Sequence, residues 1–371
     1  MVLRGNTMPW PTLLLLPSLM CLALTVVKAE AASEVETLVR VPPLQMVDGV
    51  LISPDGKAMA TLRHEGNVLN EGGKPLTLQL WTIPKGSLLW TAKEHVSRLF
   101  SFSPDGSRLV GVAEDGTVVF WKSANGRAKL KLPRQKGSVR LGAFLPDGET
   151  FVTAMNSWAG QMPLPSCGEL QLWKMTTGRL LRTMRGQTHV ISALAISADG
   201  TTLAVGSEEA GVDGVANTVN IFDTATDSLR HALRSGTNVW RIGSLAFSPD
   251  GRTLVAGDGL RERTGEVRFW DVATGQLHKT ITDADVSASV SISPNPLVAF
   301  SPDGVMLAIV GENQQITLWN VASDKWQGDL TAGLPLRPGR YTVKFVADAL
   351  LLAVVNPLQQ VEVQTWHYQK K

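Results

Sequence analysis

Ser248-Pro249-Asp250-Gly251 is a complete chain corner written in four residues. Proline presets φ at the first bend, aspartate can bond the backbone just beyond it, and glycine takes the positive φ that closes a hairpin without splaying its strands. The same residues stand at Ser53-Pro54-Asp55-Gly56, Ser103-Pro104-Asp105-Gly106 and Ser301-Pro302-Asp303-Gly304. Weaker copies stand at Leu145-Pro146-Asp147-Gly148, Ser197-Ala198-Asp199-Gly200 and Val346-Ala347-Asp348-Ala349. Seven corners stepped by about forty to fifty-five residues describe one repeat architecture, although the length of 371 residues alone suggests two or three domains.

Outward from each corner the chain is apolar. The run before it, as in Leu245-Ala246-Phe247, and the run after it, as in Leu203-Ala204-Val205-Gly206, lack polar alternation. Such runs predict short strands covered on both faces. A second marker follows, an apolar strand ending in Trp or a substitute: Leu80-Trp81, Phe120-Trp121, Leu172-Trp173, Ile221-Phe222, Phe269-Trp270 and Leu318-Trp319. In the last unit Val361-Glu362-Val363-Gln364 holds that place. A further turn, carrying Gly86, Gly126, Gly178 or Gly275, opens a fourth strand. Rings at equivalent places are expected to fill the gap between neighbouring twisted sheets rather than to stack on a ligand.

Corner and tryptophan together resemble the WD40-repeat family, over residues 35–366. The resemblance implies an all-β chain, a seven-bladed β-propeller of four-stranded antiparallel blades. It also implies closure by the chain ends. Residues 34–41 read as a stray strand and the last unit supplies only three, so the N-terminal strand is expected to pair with the C-terminal blade and leave no open edge. One feature departs from the family, which places Gly-His before the innermost strand and links that His to the corner and the Trp through buried hydrogen bonds. Here Gly186-Gln187 stands in that place and all six His are off register, so the full network is expected to be missing.

Before the repeats, Arg4 precedes an apolar run over residues 12–27 and the small-residue exit Ala29-Glu30-Ala31. That order reads as a secretory signal over residues 1–31, cleaved after Ala31, and a single propeller over residues 34–367. An uncleaved anchor is the alternative. The expectation is an exported protein, periplasmic or secreted, with no membrane span after signal removal. Only Cys167 is then left, so no internal disulfide can form. The formal charge of +2 reads as thinly spread, which disfavours nucleic acid as a partner. Hydrophobic residues at 44% and charged residues at 18% exclude a disordered chain.

Uneven spacing singles out one face. The distance from corner aspartate to Trp position is minimal from Asp105 to Trp121 and from Asp303 to Trp319. Insertions lie between Asp55 and Trp81, Asp147 and Trp173, Asp199 and Phe222, and Asp250 and Trp270, with a further extension over residues 287–296. In antiparallel four-stranded blades all these connections emerge on the same side, and one-sided loops on a repeat scaffold mark a binding face. Units three to five form a continuous arc. Its candidate contacts are Trp158, Met162 and Trp240, read as apolar loop residues, ringed by Glu208, Glu209, Arg241, Arg261 and Arg263. Aromatics and arginines within a charged rim suit another protein or a peptide.

Catalytic motifs do not emerge. Arg63-His64-Glu65 lacks the second His of a zinc-protease helix, no nucleophile elbow or phosphate loop is present, and Cys167 has no placed base. The reading is therefore a non-catalytic scaffold with no cofactor and no metal. The alternative is a propeller enzyme with its site at the central mouth. Trp81-Thr82-Ile83-Pro84-Lys85-Gly86-Ser87-Leu88-Leu89-Trp90 resembles the repeat of quinone-cofactor dehydrogenases, and a lactonase-like site would draw on His64 and Arg63.

Overall fold

The computed structural model describes residues 36–40, 47–64, 76–135, 137–157, 167–187, 190–208, 218–234, 239–260, 265–282, 285, 297–311, 315–330, 341–346, 349–355 and 361–367. All of them lie within the unit Ala31–Lys371.

The described residues form antiparallel strands without an α-helix. After β1 (Glu36–Arg40), blade 1 consists of β2 (Val47–Ile52), β3 (Ala58–His64), β4 (Leu76–Thr82) and the first half of β5 (Leu88–Phe102). The second half of β5 crosses into blade 2, with β6 (Arg108–Ala113), β7 (Val118–Lys122) and β8 (Ala128–Lys131). Blade 3 is β9 (Ser138–Phe144), β10 (Thr150–Ser157), β11 (Cys167–Lys174) and β12 (Arg179–Gln187). Blade 4 is β13 (Val190–Ile196), β14 (Thr202–Glu208), β15 (Thr218–Asp223) and β16 (Leu229–Arg234). Blade 5 is β17 (Val239–Phe247), β18 (Thr253–Leu260), β19 (Gly265–Asp271) and β20 (Leu277–Ile281). Blade 6 is β21 (Leu297–Phe300), β22 (Met306–Val310), β23 (Ile316–Asn320) and β24 (Lys325–Asp329). Blade 7 is β25 (Tyr341–Val346), β26 (Ala349–Val355) and β27 (Val361–His367), completed by β1, which runs antiparallel to β27 from Glu36↔Thr365 to Arg40↔Glu362.

The seven sheets close into a ring. The first strands β2, β5, β9, β13, β17, β21 and β25 each touch the next, and β25 touches β2. Seven apolar cores lie between successive sheets, including one where Val361 and Val363 of blade 7 pack with Met59 and Trp81 of blade 1. Burial on both faces explains the unalternated runs: all five residues of β22 are buried, as are five of the six in β6.

Each ring marker packs toward the preceding blade. Trp121 joins the core of blades 1 and 2, Trp270 that of blades 4 and 5, and Phe222 takes the place between blades 3 and 4. The last blade corrects the sequence reading. Val346 pairs directly with Ala349, so its corner is tighter, and Trp366 opposite Leu350 occupies the place that Trp121 holds opposite Leu109. The seventh ring is therefore Trp366, 1% exposed, and not the Val361 to Gln364 segment.

Corner chemistry repeats in detail. Ser103 Oγ donates to Asp105 Oδ1 at 2.5 Å and accepts from the Arg108 N–H at 2.9 Å, while the Gly106 N–H bonds the Ser103 carbonyl at 2.8 Å. The same serine relay recurs at Ser53, Ser197, Ser248 and Ser301. The buried network expected to be missing survives in part. Trp81 Nε1 donates to Thr61 Oγ1 at 2.9 Å and Trp173 Nε1 to Thr153 Oγ1 at 3.0 Å. Thr153 Oγ1 in turn donates to Gln135 Oε1 at 3.2 Å, so a glutamine ahead of the first strand of blade 3 ends the chain of bonds without a histidine.

Candidate functional site

Antiparallel order puts the corners at one end of every blade and the longer connections at the other. At that second end the hairpins are longer than the sequence reading supposed. β10 and β11 pair as far as Ser157↔Cys167, so Asn156, Ser157 and Cys167 stand in strands. His64 pairs with Leu76, and β18 with β19 as far as Gly259↔Gly265. Glu208 ends β14 opposite Val190. Trp240 and Arg241 belong to β17, with Arg241 opposite Gly259 and Trp240 at a bulge, which corrects the assignment of Trp240 to a loop. The physical reason is that inserted residues first extend the ladder, where each backbone N–H and C=O finds a partner. Trp158, Met162, Glu209, Arg261 and Arg263 lie outside the described residues.

Buried polar groups fix these strand ends beneath the connections. Asn156, 3% exposed, accepts from the Ile191 N–H at 3.0 Å and donates Nδ2 to its carbonyl at 3.3 Å, stitching blade 3 to blade 4. In blade 5 the guanidinium of Arg268 bridges Asp258 Oδ2 at 3.1 Å and Glu266 Oε2 at 2.6 Å, and Asp258 is fully buried. A buried carboxylate is tolerated only with such a partner. Neither device was singled out from sequence, although an Asp ending the run Val255-Ala256-Gly257-Asp258 is the signal that could have shown one.

At the axis, a cavity of about 330 Å³ lies between the first strands of blades 2 to 4, lined by Arg98, Phe100, Arg140, Leu141 and Leu194 among others. Arg98 Nη1 donates to the Arg140 carbonyl at 3.0 Å. A second axial cavity, of about 350 Å³, includes Lys344, Ser101 and Thr342. Burial pushes the Lys344 ammonium below its ordinary pKa. These walls offer cationic and apolar contacts. Among the described residues no three His, Cys, Asp or Glu side chains are placed to hold a metal. Trp90, half of the quinone-dehydrogenase resemblance, lies against Gly126 of blade 2 and donates Nε1 to the Ser123 carbonyl at 2.6 Å, which is a packing role.

The family model described as "WD domain, G-beta repeat" matches residues 86–122, 178–223 and 230–271. Each match begins at or just beyond the last turn of one blade and runs to the ring marker of the next, so the sequence unit is offset from the structural blade. Curated relatives include "WD repeat-containing protein SL1-17" of Schistosoma mansoni, 30% identical over 56% of this chain and 59% of its own length. "Apoptotic protease-activating factor 1" of Rattus norvegicus is 26% identical over 61% of this chain and 16% of its own length. "Autophagy-related protein 16" of Arabidopsis thaliana is 23% identical over 65% and 43% respectively. The chain thus spans less than two thirds of each of these relatives. Repeated Ser-Pro-Asp-Gly corners, a ring residue at the same place in every blade, and three family-model matches make one case: the chain carries WD40 repeats over residues 86–122, 178–223 and 230–271 and is similar to WD-repeat proteins.

Proposed function

We propose that the protein is a non-catalytic scaffold, exported from the cytoplasm, that holds another protein or a peptide across its loop-bearing face. The observation that carries this reading is the one-sided growth of the blades. Hairpins lengthen at one end only, most of all on blade 3 and also on blades 1, 4, 5 and 7 beyond the short ones of blades 2 and 6, around an axis where one cavity wall carries Arg98 and Arg140. A closed ring supplies the rigid frame on which such loops can be held. The family-model repeats and the "WD repeat" relatives support a platform over a catalyst.

The test is crosslinking capture from the native envelope fraction, with the parent chain beside a Trp158→Ala, Trp240→Ala variant and an Arg140→Glu variant, each shown by circular dichroism to be folded. The expected result is one defined partner retained by the parent and lost by the variants. Capture that is indifferent to all three substitutions overturns the assignment of the face. Absence of any protein partner overturns the scaffold reading in favour of a propeller enzyme, and lactones and quinone cofactors then become the ligands to screen.

A further inference from the structure

Charge in this chain is not thinly spread, contrary to the reading of the sum. Between Asp115 and Asp147 there is no acidic residue but seven Lys or Arg, and between Glu169 and Asp199 none but four. Residues 116–198 thus hold eleven cations against three acids in a protein whose net charge is only +2. The fold gathers many of them on one stretch of the rim. Arg127, Lys129, Lys131 and Arg134 lie on or beside β8, the outermost strand of blade 2, and Arg179 opens β12, the outermost strand of blade 3. All five are exposed, and Arg127, Lys129 and Arg179 take part in no ion pair among the described residues.

A second observation is independent of charge. The exposed large apolar side chains among the described residues are Leu88, Leu89, Leu180, Leu181, Leu229 and Leu277, and every one sits on an outermost strand. Leu89 and Leu181 are 51% and 48% exposed. The two adjacent pairs, Leu88-Leu89 and Leu180-Leu181, begin the outer strands of blades 1 and 3 and so flank the cationic edge of blade 2.

We propose that this three-blade edge docks on an anionic lipid bilayer, with the leucine pairs entering the headgroup layer and the cations of blade 2 meeting lipid phosphates. Apolar side chains beside basic ones are the pattern by which a folded surface binds the membrane interface. A nucleic acid would satisfy the cations and leave the leucines without an apolar partner. A second copy meeting edge to edge about a two-fold axis would oppose two positive surfaces. Edge docking leaves the loop-bearing face free, so this inference does not depend on the proposed partner site.

The experiment is flotation of the full chain with phosphatidylcholine vesicles, with and without phosphatidylglycerol. The readout is the difference between the two, because the apolar run over residues 12–27 can hold the chain on any bilayer. Hydrogen exchange on the same samples reports the site. The expected result is retention that rises with phosphatidylglycerol, falls with salt, and protects the backbone of residues 88–93, 127–134 and 179–182. Arg127→Gln and Lys129→Gln are each expected to weaken this retention about fivefold, and Leu89→Ser with Leu181→Ser to weaken it at unchanged charge. Equal retention on both vesicles, or insensitivity to the leucine variant, overturns the proposal. So does an oligonucleotide complex that outcompetes vesicles and survives the leucine change, or a dimer in sedimentation velocity that the leucine change dissolves.

Discussion

Ser103 completes its corner through one oxygen, which donates to Asp105 and accepts from the Arg108 N–H. Being 1% exposed, it has no water to replace either bond. Ser103→Ala should therefore cost about 1–3 kcal/mol, read as a lower urea midpoint at unchanged slope. The aspartate carries a pH signature of the same contact. Bonds from Ser103 and then Ser107 lower the Asp105 pKa from 3.8 to about 2. Because the folded value lies below the unfolded one, the stabilisation is complete above the unfolded value and is lost as pH falls from about 4 toward 2. Asp199 and Asp250 are lowered in the same direction, each chiefly by its own corner serine. Acid titration of stability should show this loss in the parent and a smaller loss in Ser103→Ala. The Trp173, Thr153 and Gln135 relay gives another test. Thr153→Val strands a buried indole N–H at a cost of about 1–3 kcal/mol, and Trp173→Phe in that background should recover part of it, since blade 4 uses Phe222 in the same place.

Between neighbouring blades, the outermost strands share a latch. In blades 1 to 5 the fourth residue beyond the outer turn reaches the turn of the next blade: Trp90 lies on Gly126, Leu130 on Gly178, and His231 on Gly275. At the same place Arg182 Nη1 bonds the Ala225 carbonyl at 2.8 Å and its Nε pairs with Asp227, while Lys279 pairs with Asp324 and lies 4.3 Å above the Trp319 ring centre. Gly126 shows how closely the pieces meet, because a Cβ there would stand 2.6 Å from the Trp90 ring and φ is +65°. Gly116, at φ +84°, has open space around its missing Cβ. Gly116→Ala should cost only the left-handed penalty of about 1–2 kcal/mol. Gly126→Ala should cost at least about 1 kcal/mol more, since the rigid indole must move; equal losses in chemical denaturation would refute the latch. Corners and rings were legible in the sequence because each demands a residue type, Gly for positive φ or an aromatic for the gap. The latch was not, since Trp90, Leu130, Arg182, His231 and Lys279 share a position and no chemistry. Trp366 escaped because the shortened corner of blade 7 shifts the count, and Trp240 because a bulge inside β17 looks like a loop in sequence.

At the scale of the whole ring, one strand decides whether there is an edge. Without β1, the outward side of β27 would present unpaired N–H and C=O groups along the stretch now matched from Glu362 to Thr365. The neighbouring core would feel it, since Val361 and Val363 on β27 pack with Met59, Trp81 and Val50 of blade 1. The loss of four paired positions amounts to roughly 2–6 kcal/mol at the usual net value of a backbone hydrogen bond. The kinetic consequence is larger, because an open edge templates pairing with another chain. Deleting residues 36–40 should thus lower the melting temperature by several degrees and make light scattering on heating depend on protein concentration. Adding a peptide of the sequence Glu-Thr-Leu-Val-Arg in excess should reverse both effects, by filling the same register. A deletion variant that melts like the parent and stays monomeric would show that the inter-blade cores alone close the ring. The sequence unit matched by the family model begins at the last turn of one blade and ends in the next. An array of such units leaves a lone strand at one terminus and a three-stranded blade at the other. Pairing them is the one arrangement that satisfies both, which is why the expected loss belongs to the fold and not to the local side chains of β1.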